Sequence, residues 1–183
     1  IVKYSLYLCY IINTMKTILI IFSFLSLFSF SQTSLETKIL NKVNDYRTSL
    51  GLSQLEFDST CTSASQIQST YLKSQKGLAS HSNSKYQNVD DRYKACGGKN
   101  PTKIGEVIAI QNANYKSTDS LYEEKMATAI VMSWKQSSGH NKIITDPQMK
   151  FFGVSSQIEK SNPDLKTWNH FDICVVMVLV DNK

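Results

Sequence analysis

The chain has 183 residues and a formal net charge of +5, a mild basic excess with no run of five or more like charges. It shows no polybasic stripe, no aromatics interleaved on a basic face and no glycine-rich phosphate loop, so nucleic-acid partners are disfavoured.

The first methionine is Met15, and residues 1–14 read as an upstream extension or a gene-model artefact. Met15 and Lys16 open the uncharged run TILIIFSFLSLFSF, which leaves through Ser29-Phe30-Ser31, small residues at the two positions that signal peptidase reads. Residues 15–31 are therefore expected to be a secretory signal peptide cleaved after Ser31. A membrane anchor is the competing reading, disfavoured by the small-residue exit and the low charge of the flanks. Removing 31 of the 183 residues leaves 152, from Gln32 onward, enough for one domain and too few for two. Lys3 and Lys16 go with that segment, which lowers the net charge from +5 to +3.

An exported chain meets oxidising conditions, and Cys61, Cys96 and Cys174 remain. One disulfide is expected, with all three pairings open. No two of these cysteines have the Cys-x-x-Cys spacing of a structural zinc site. Cys174 lies in an apolar run and reads as a buried small hydrophobe.

Thr33-Ser34-Leu35-Glu36 is a capping-box pattern, and Leu35, Ile39, Val43 and Tyr46 then recur at helical steps up to a stop at Gly51. Asp58 reads as the next N-cap, with Cys61, Ala64, Ile67, Tyr71 and Leu72 as the apolar stripe of a second helix ending near Gly77. A loop carrying His81 leads to a short third helix over Tyr86 to Cys96. Ile104 to Ile110 is rich in β-branched residues and predicts a strand, with Glu106 near its start. A polar connection through Ser117 precedes a fourth helix whose buried face is marked by Leu121, Met126, Ile130, Val131 and Trp134. KFFGVSSQI predicts another strand, Asn162-Pro163-Asp164 a break, and FDICVVMVLV a central strand covered on both faces. Helices followed by strands around one more helix imply an α+β protein with a mixed sheet between helical layers.

The chain has three histidines. His81 stands in a polar loop, and His140 follows Gly139 in what reads as a turn beyond the fourth helix, where it would face the last carbonyls and the negative end of the dipole. Glu106 lies between them at the head of a strand, a place where a glutamate is ordinarily at the surface. His170, beside Trp168, has no comparable neighbours and is the weakest candidate.

The order LNKVNDYRTSLGLSQLEFD, ASHS, DDRYKACGG, IGEVIAI, VMSWKQSSGHNKII and FFGVSS resembles the CAP superfamily. Its members are cysteine-rich secretory proteins, insect antigen 5 proteins, plant pathogenesis-related class 1 proteins and bacterial relatives, and the bacterial type fits best. Asn44, Arg47, Gly51, Leu52 and Leu55 fill one family segment, and Trp134, Ser137, Gly139, His140 and Ile144 fill another. The resemblance spans Leu35 to the final strand. It implies one SCP-like domain over 32–183, a three-layer α-β-α sandwich with a mixed, mainly antiparallel sheet. It also implies a cleft holding His81, Glu106, Ser137 and His140, in which His81 and His140 would hold a divalent metal such as Zn2+. Two positions depart from the family pattern: Val107 stands where an asparagine is expected, and Ser137 where plant and animal members carry a second glutamate. Bacterial relatives often have serine there.

Three functions follow as expectations. The favoured one is a secreted, extracytoplasmic, non-enzymatic binding module that takes a lipid, a peptide or a cell-envelope component, with no membrane span in the mature chain. The alternative is a metal-assisted hydrolase of peptidase type, with Glu106 and His140 as its catalytic candidates. It is disfavoured because one carboxylate is missing, and because the nearness of Ser137 and Ser138 to His140 in sequence does not make an activated nucleophile. The third is a purely structural domain in which the polar cleft ties loops to the sheet.

Overall fold

Helix α1, Ser34–Ser49, begins with the capping box that the sequence predicts. Thr33 Oγ1 accepts from the Glu36 amide at 3.3 Å and Glu36 Oε2 accepts from the Thr33 amide at 2.9 Å. The other Glu36 oxygen accepts from the Ser156 amide and hydroxyl at 2.7 and 3.1 Å, so the cap also fastens the helix to a distant strand. Leu35, Ile39 and Val43 are buried. Gly51, at φ +73°, ends the helix, and the Leu52 amide turns back to the Arg47 carbonyl at 3.0 Å. These features come from a computed structural model that describes residues 33–75, 79–115, 121–160 and 169–183. The compact unit is Gln32–Lys183, and no described helix is long and apolar enough to cross a membrane.

Helix α2, Ser59–Ser74, is capped by Asp58, whose carboxylate accepts from the Cys61 amide at 2.7 Å. Gly77, its expected stop, lies outside the described residues. Its buried stripe differs from the expected one. Ile67 and Tyr71 are half-buried, while Ser65, Gln68 and Ser69 are fully buried beside Cys61, Ala64 and Leu72. The reason is close approach to the sheet: a Cβ on Gly153 would lie 2.0 Å from the Thr62 nitrogen. Only short polar side chains with backbone partners fit such a seam. Ser65 Oγ donates to the Gly153 carbonyl at 2.9 Å and accepts from the Val178 amide at 3.1 Å, and Ser69 shares a 3.0 Å hydrogen bond with Ser155.

Helix α3 is Val89–Ala95, three residues shorter at its start than expected. Asn83 Oδ1 accepts from the Lys85 and Tyr86 amides, which holds Tyr86 in a turn, and Asn88 supplies the cap. Helix α4 is Tyr122–Gln136, burying Met126, Ala127, Ile130, Val131 and Trp134. Leu121, expected on that face, is 59% exposed because it sits at the cap, outside the helical repeat. The polar connection expected through Ser117 falls on residues 116–120, outside the described residues. A separate helix α5, Ser138–Ile144, follows at once.

The sheet has four strands: β1 (Glu56–Phe57), β2 (Ile104–Tyr115), β3 (Phe151–Lys160) and β4 (Asn169–Val180), in the order β1-β3-β4-β2. The two-residue β1 is too short to be read from sequence. It pairs in parallel with β3, whereas β4 pairs antiparallel with β3 and β2, which gives the mixed, mainly antiparallel sheet. The Asn162-Pro163-Asp164 break lies outside the described residues. Strand β4 is buried on both faces from Ile173 to Val180. Ile173, Val175, Met177 and Leu179 pack with α1 and α4, and the alternate residues pack with α2 and α3, giving the three layers. Cys174 is one of the latter, a buried small hydrophobe as expected. Cys61 and Cys96 are free thiols that pack around the Tyr93 cluster, so the expected disulfide does not form between them.

Arg47 is the deepest tie between layers. Fully buried on α1, it donates through Nε to the Ser53 carbonyl at 2.8 Å. Nη1 donates to the Ile144 and Asp146 carbonyls at 2.8 and 3.1 Å, and Nη2 to the Met149 carbonyl at 3.2 Å. Burial lowers its pKa and Asp146 opposes that shift, but a guanidinium remains charged. By contrast, Lys38 and Glu123 bridge α1 to α4 at the surface, 3.0 Å apart, where such a pair contributes little.

The seam between α2 and β3 gives a first prediction. Gly153→Ala should destabilise the protein by about 3 kcal/mol, because backbone on both sides must part to admit one methyl group. Urea unfolding checks this, and a loss below about 0.5 kcal/mol would mean that the seam is looser than described.

Candidate functional site

His81 is carried by the loop between α2 and α3, and that loop is held from below by Gln68. The buried Gln68 amide donates to the Ser80 carbonyl at 2.5 Å, and its oxygen accepts from Asn83 Nδ2 at 2.8 Å. Glu106 enters from the third position of β2. It is only 4% exposed, not at the surface as a strand-end glutamate would ordinarily be. The cause is Arg92 of α3, itself fully buried, whose Nη2 forms an ion pair with Glu106 Oε2. Arg92 Nη1 also donates to the His81 carbonyl at 3.1 Å. The other Glu106 oxygen meets His81 Nδ1 at 2.9 Å. An ionised carboxylate can only accept, so Nδ1 carries the proton, and the His81 ring leaves Nε2 without a partner among the described residues.

His140 is placed by α5, not by a turn after α4, which corrects the sequence expectation. Ser137 is the N-cap of α5, its hydroxyl accepting from the His140 amide at 3.4 Å. His140 therefore lies in the first turn, at the positive end of a helix dipole, and has no role with C-terminal carbonyls. Its ring stands 6.2 Å from that of His81, centroid to centroid, with the planes at 61°. Burial lowers the pKa of His140, and the neighbouring His81 lowers it further. Helix α5 can approach β2 because Gly105 has no side chain: a Cβ there would lie 2.7 Å from Ile143 Cγ2.

The four expected site residues, His81, Glu106, Ser137 and His140, thus line one cleft of about 480 Å³, together with Gln87, Asn88, Val89, Ile104 and Ile143. His170 is not among them. It lies in β4 opposite Asn114, and its side chain is outside the described residues. Sequence reasoning missed Arg92 and Gln68, both internal to short or serine-rich helices where a polar residue ordinarily faces solvent. The departures from the family pattern are also explained: Val107 is buried against the α1 and α4 layer, away from the cleft, and Ser137 serves as a cap.

A zinc ion in this cleft would find two imidazoles, His81 through Nε2 and His140. Glu106 has both oxygens engaged, and among the described residues no three or more His, Cys, Asp or Glu side chains are grouped to hold an ion. A catalytic zinc takes three protein ligands, so this donor set does not fit one.

Residues 40–178 match the profile of the CAP family, described as the cysteine-rich secretory protein family. The chain belongs to that family. Among solved structures, this CAP domain is similar to an extracellular protein of Bacillus anthracis that contains an SCP domain, at 18% identity and a TM-score of 0.58. The match covers 80% of this chain and 40% of that one. An outer surface protein of Borrelia burgdorferi matches at 15% identity and a TM-score of 0.51, over 84% and 97% of the two chains. A cysteine-rich secretory protein of Staphylococcus aureus matches at 10% and 0.52, over 84% and 40%. The chain thus spans about two-fifths of the Bacillus and Staphylococcus proteins. At these identities the likeness concerns the fold. Compared by sequence with curated proteins, the chain matches none.

Two predictions follow from the cleft of this CAP domain. Glu106→Ala strands the Arg92 charge in a dry site and should cost about 3–5 kcal/mol, while His81→Ala should cost only about 1–2 kcal/mol. Denaturant titration of both variants checks the order, and equal losses would contradict it. The second concerns pH. Because His140 has a lower pKa folded than unfolded, the unfolded chain takes up the proton first as pH falls below about 6.5. Stability contributed by neutral His140 is present above that value and declines below it until the folded protein also protonates. His140→Asn should therefore flatten the fall in melting temperature over the acidic range, and an unchanged slope would contradict the assignment.

Proposed function

We propose that the cleft of this CAP domain is a binding site and not a catalytic one. The observation that carries this reading is the double engagement of Glu106, which gives one oxygen to Arg92 and the other to His81 Nδ1. Both oxygens are thus already turned to protein donors, whereas hydrolysis in such a site needs a carboxylate that turns to a water or to a metal. Nor does the cleft contain an activated nucleophile, since Ser137 meets the His140 backbone and not its ring.

What the cleft offers is a set of hydrogen-bonding groups with no protein partners among the described residues: His81 Nε2, the His140 ring nitrogens and the Gln87 side chain. Val89, Ile104 and Ile143 add apolar wall. Such a lining suits a lipid headgroup, a peptide segment or an envelope component with donors and acceptors next to an apolar portion. Zinc, held by His81 and His140 alone, would bind weakly and exchange with solvent. The setting we propose is outside the cytoplasm, supported by the leader-like 15–31 segment and by the fold shared with an extracellular Bacillus protein and an outer surface Borrelia protein.

The test is zinc calorimetry on the metal-stripped protein, with amide NMR mapping of the cleft and a peptidase assay alongside. The expected result is weak one-to-one zinc binding that both His81→Ala and His140→Ala abolish, with no chelator-sensitive hydrolysis. Hydrolysis that a chelator stops and that Glu106→Gln removes in a folded protein would overturn the binding reading in favour of the metal-assisted hydrolase.

A further inference from the structure

The cleft histidines belong to different elements, and a binding site needs them fixed to within a fraction of an ångström. His140 is fixed by the helix that carries it. His81 sits in a loop, with a side chain that is 61% exposed, and cannot be held by packing. Among the described residues its ring makes one hydrogen bond, through Nδ1 to Glu106, beside the edge contact with His140, and its backbone is held through the carbonyl to Arg92. Glu106 in turn is held by Arg92. Three residues therefore close a ring: Arg92 to Glu106, Glu106 to the His81 side chain, and the His81 backbone back to Arg92.

Arg92 is the member that acts on both ends of this ring. Its two terminal nitrogens are spent on His81 and Glu106, and its Nε, buried, has no hydrogen-bond partner. Among the described residues Arg92 forms no other ion pair, so its charge is paired within this ring. Arg92 lies midway along the short helix α3 and is completely buried. A guanidinium is suited to the task because its planar fork presents several donors in fixed directions, which the ammonium of a lysine does not.

We propose that Arg92 is the positioning residue of the cleft: by clamping Glu106 and the His81 carbonyl together it fixes the His81 ring with Nδ1–H on the carboxylate and makes Nε2 an acceptor for the ligand. The ligand class follows. Opposite His81 the cleft takes a hydrogen-bond donor, a hydroxyl or an amide N–H, and discriminates against a group that can only accept, because two facing lone pairs leave both unsatisfied. The functional meaning of the clamp rests on the reading of the cleft as a binding site, but the state of the His81 ring is measurable without any ligand.

Long-range proton–nitrogen NMR of the histidine rings, at mildly alkaline pH and in the absence of metal, reports that state directly. The wild type should show His81 as a single Nδ1–H tautomer. In Glu106→Gln, Arg92 should keep the side-chain oxygen for itself and turn the amide group toward His81, which must then accept at Nδ1 and carry its proton on Nε2. The tautomer inverts while the fold persists. Arg92→Lys keeps a positive charge but loses the second arm of the fork. The His81 ring should then become a mixture of tautomers, and amide exchange across residues 79–83 should quicken by about tenfold or more, the loss of one charge-assisted hydrogen bond. Exchange rates in β4 serve as the control for global stability. An unchanged Nδ1–H tautomer in Glu106→Gln, or unchanged ring state and loop exchange in a folded Arg92→Lys protein, would overturn the proposal. The predicted tautomers together with no ligand or ion binding at the cleft would uphold the role of Arg92 and sink the binding reading instead.

Discussion

Strand β4 must be covered on both faces, and most of the architecture follows from that requirement. Eight successive residues, Ile173 to Val180, are buried, and each large aliphatic among them contributes about 1.5–3 kcal/mol by leaving water. A strand of that kind is stable only in the middle of a sheet with a helical layer on each side. Helices α1 and α4 form one layer, and α2 and α3 the other. The cleft forms at the margin of this arrangement, where β2 begins and where α3 and α5 come close to it. The core thus sets where the polar residues can meet, and two buried arginines set how.

The two arginines solve different problems. Arg47 reaches only backbone carbonyls, those of Ser53, Ile144, Asp146 and Met149, and so joins the start of the chain to the segment between α5 and β3. It is a structural tie, compensated by dipoles. Arg92 meets a carboxylate and the backbone of a cleft residue. Its interactions end in the cleft, and the chemistry available there depends on them. A buried ion pair adds little net stability compared with apolar side chains of similar size, so its persistence at this place is better accounted for by the orientation it imposes on His81.

Much of the fold was legible because local signals agreed with the global pattern. Thr33 with Glu36, Asp58 before a helical stripe, and the β-branched run ending at Val180 each have one simple structural meaning, and each element formed where it was expected. Two helices were harder. In α5 the Ser-Ser-Gly-His sequence looks like a turn, since glycine weakens a helix, and only the Ser137 cap explains why a helix restarts there. In α2 the apolar periodicity was misleading, because closeness to β3 at Gly153 favours serine over larger apolar side chains, while Gln68 is buried by its bonds to the loop that carries His81. The order of the motifs singles out His81, Glu106, Ser137 and His140, and these four residues line one cleft. Arg92 was not legible, because nothing in the sequence marks which arginine will be drawn inward by a carboxylate 14 residues away.

The order of the strands bears on how such a chain comes to be folded. Its central strand is the last one in the sequence, with β2 and β3 on either side and β1 beyond. During synthesis α1 can meet α4 and α2 can meet β3, but β2 and β3 lack the strand that pairs with both, and the two helical layers lack the surface that separates them, until residues near Val180 are delivered. The sheet therefore closes late, through pairings between segments far apart in the chain.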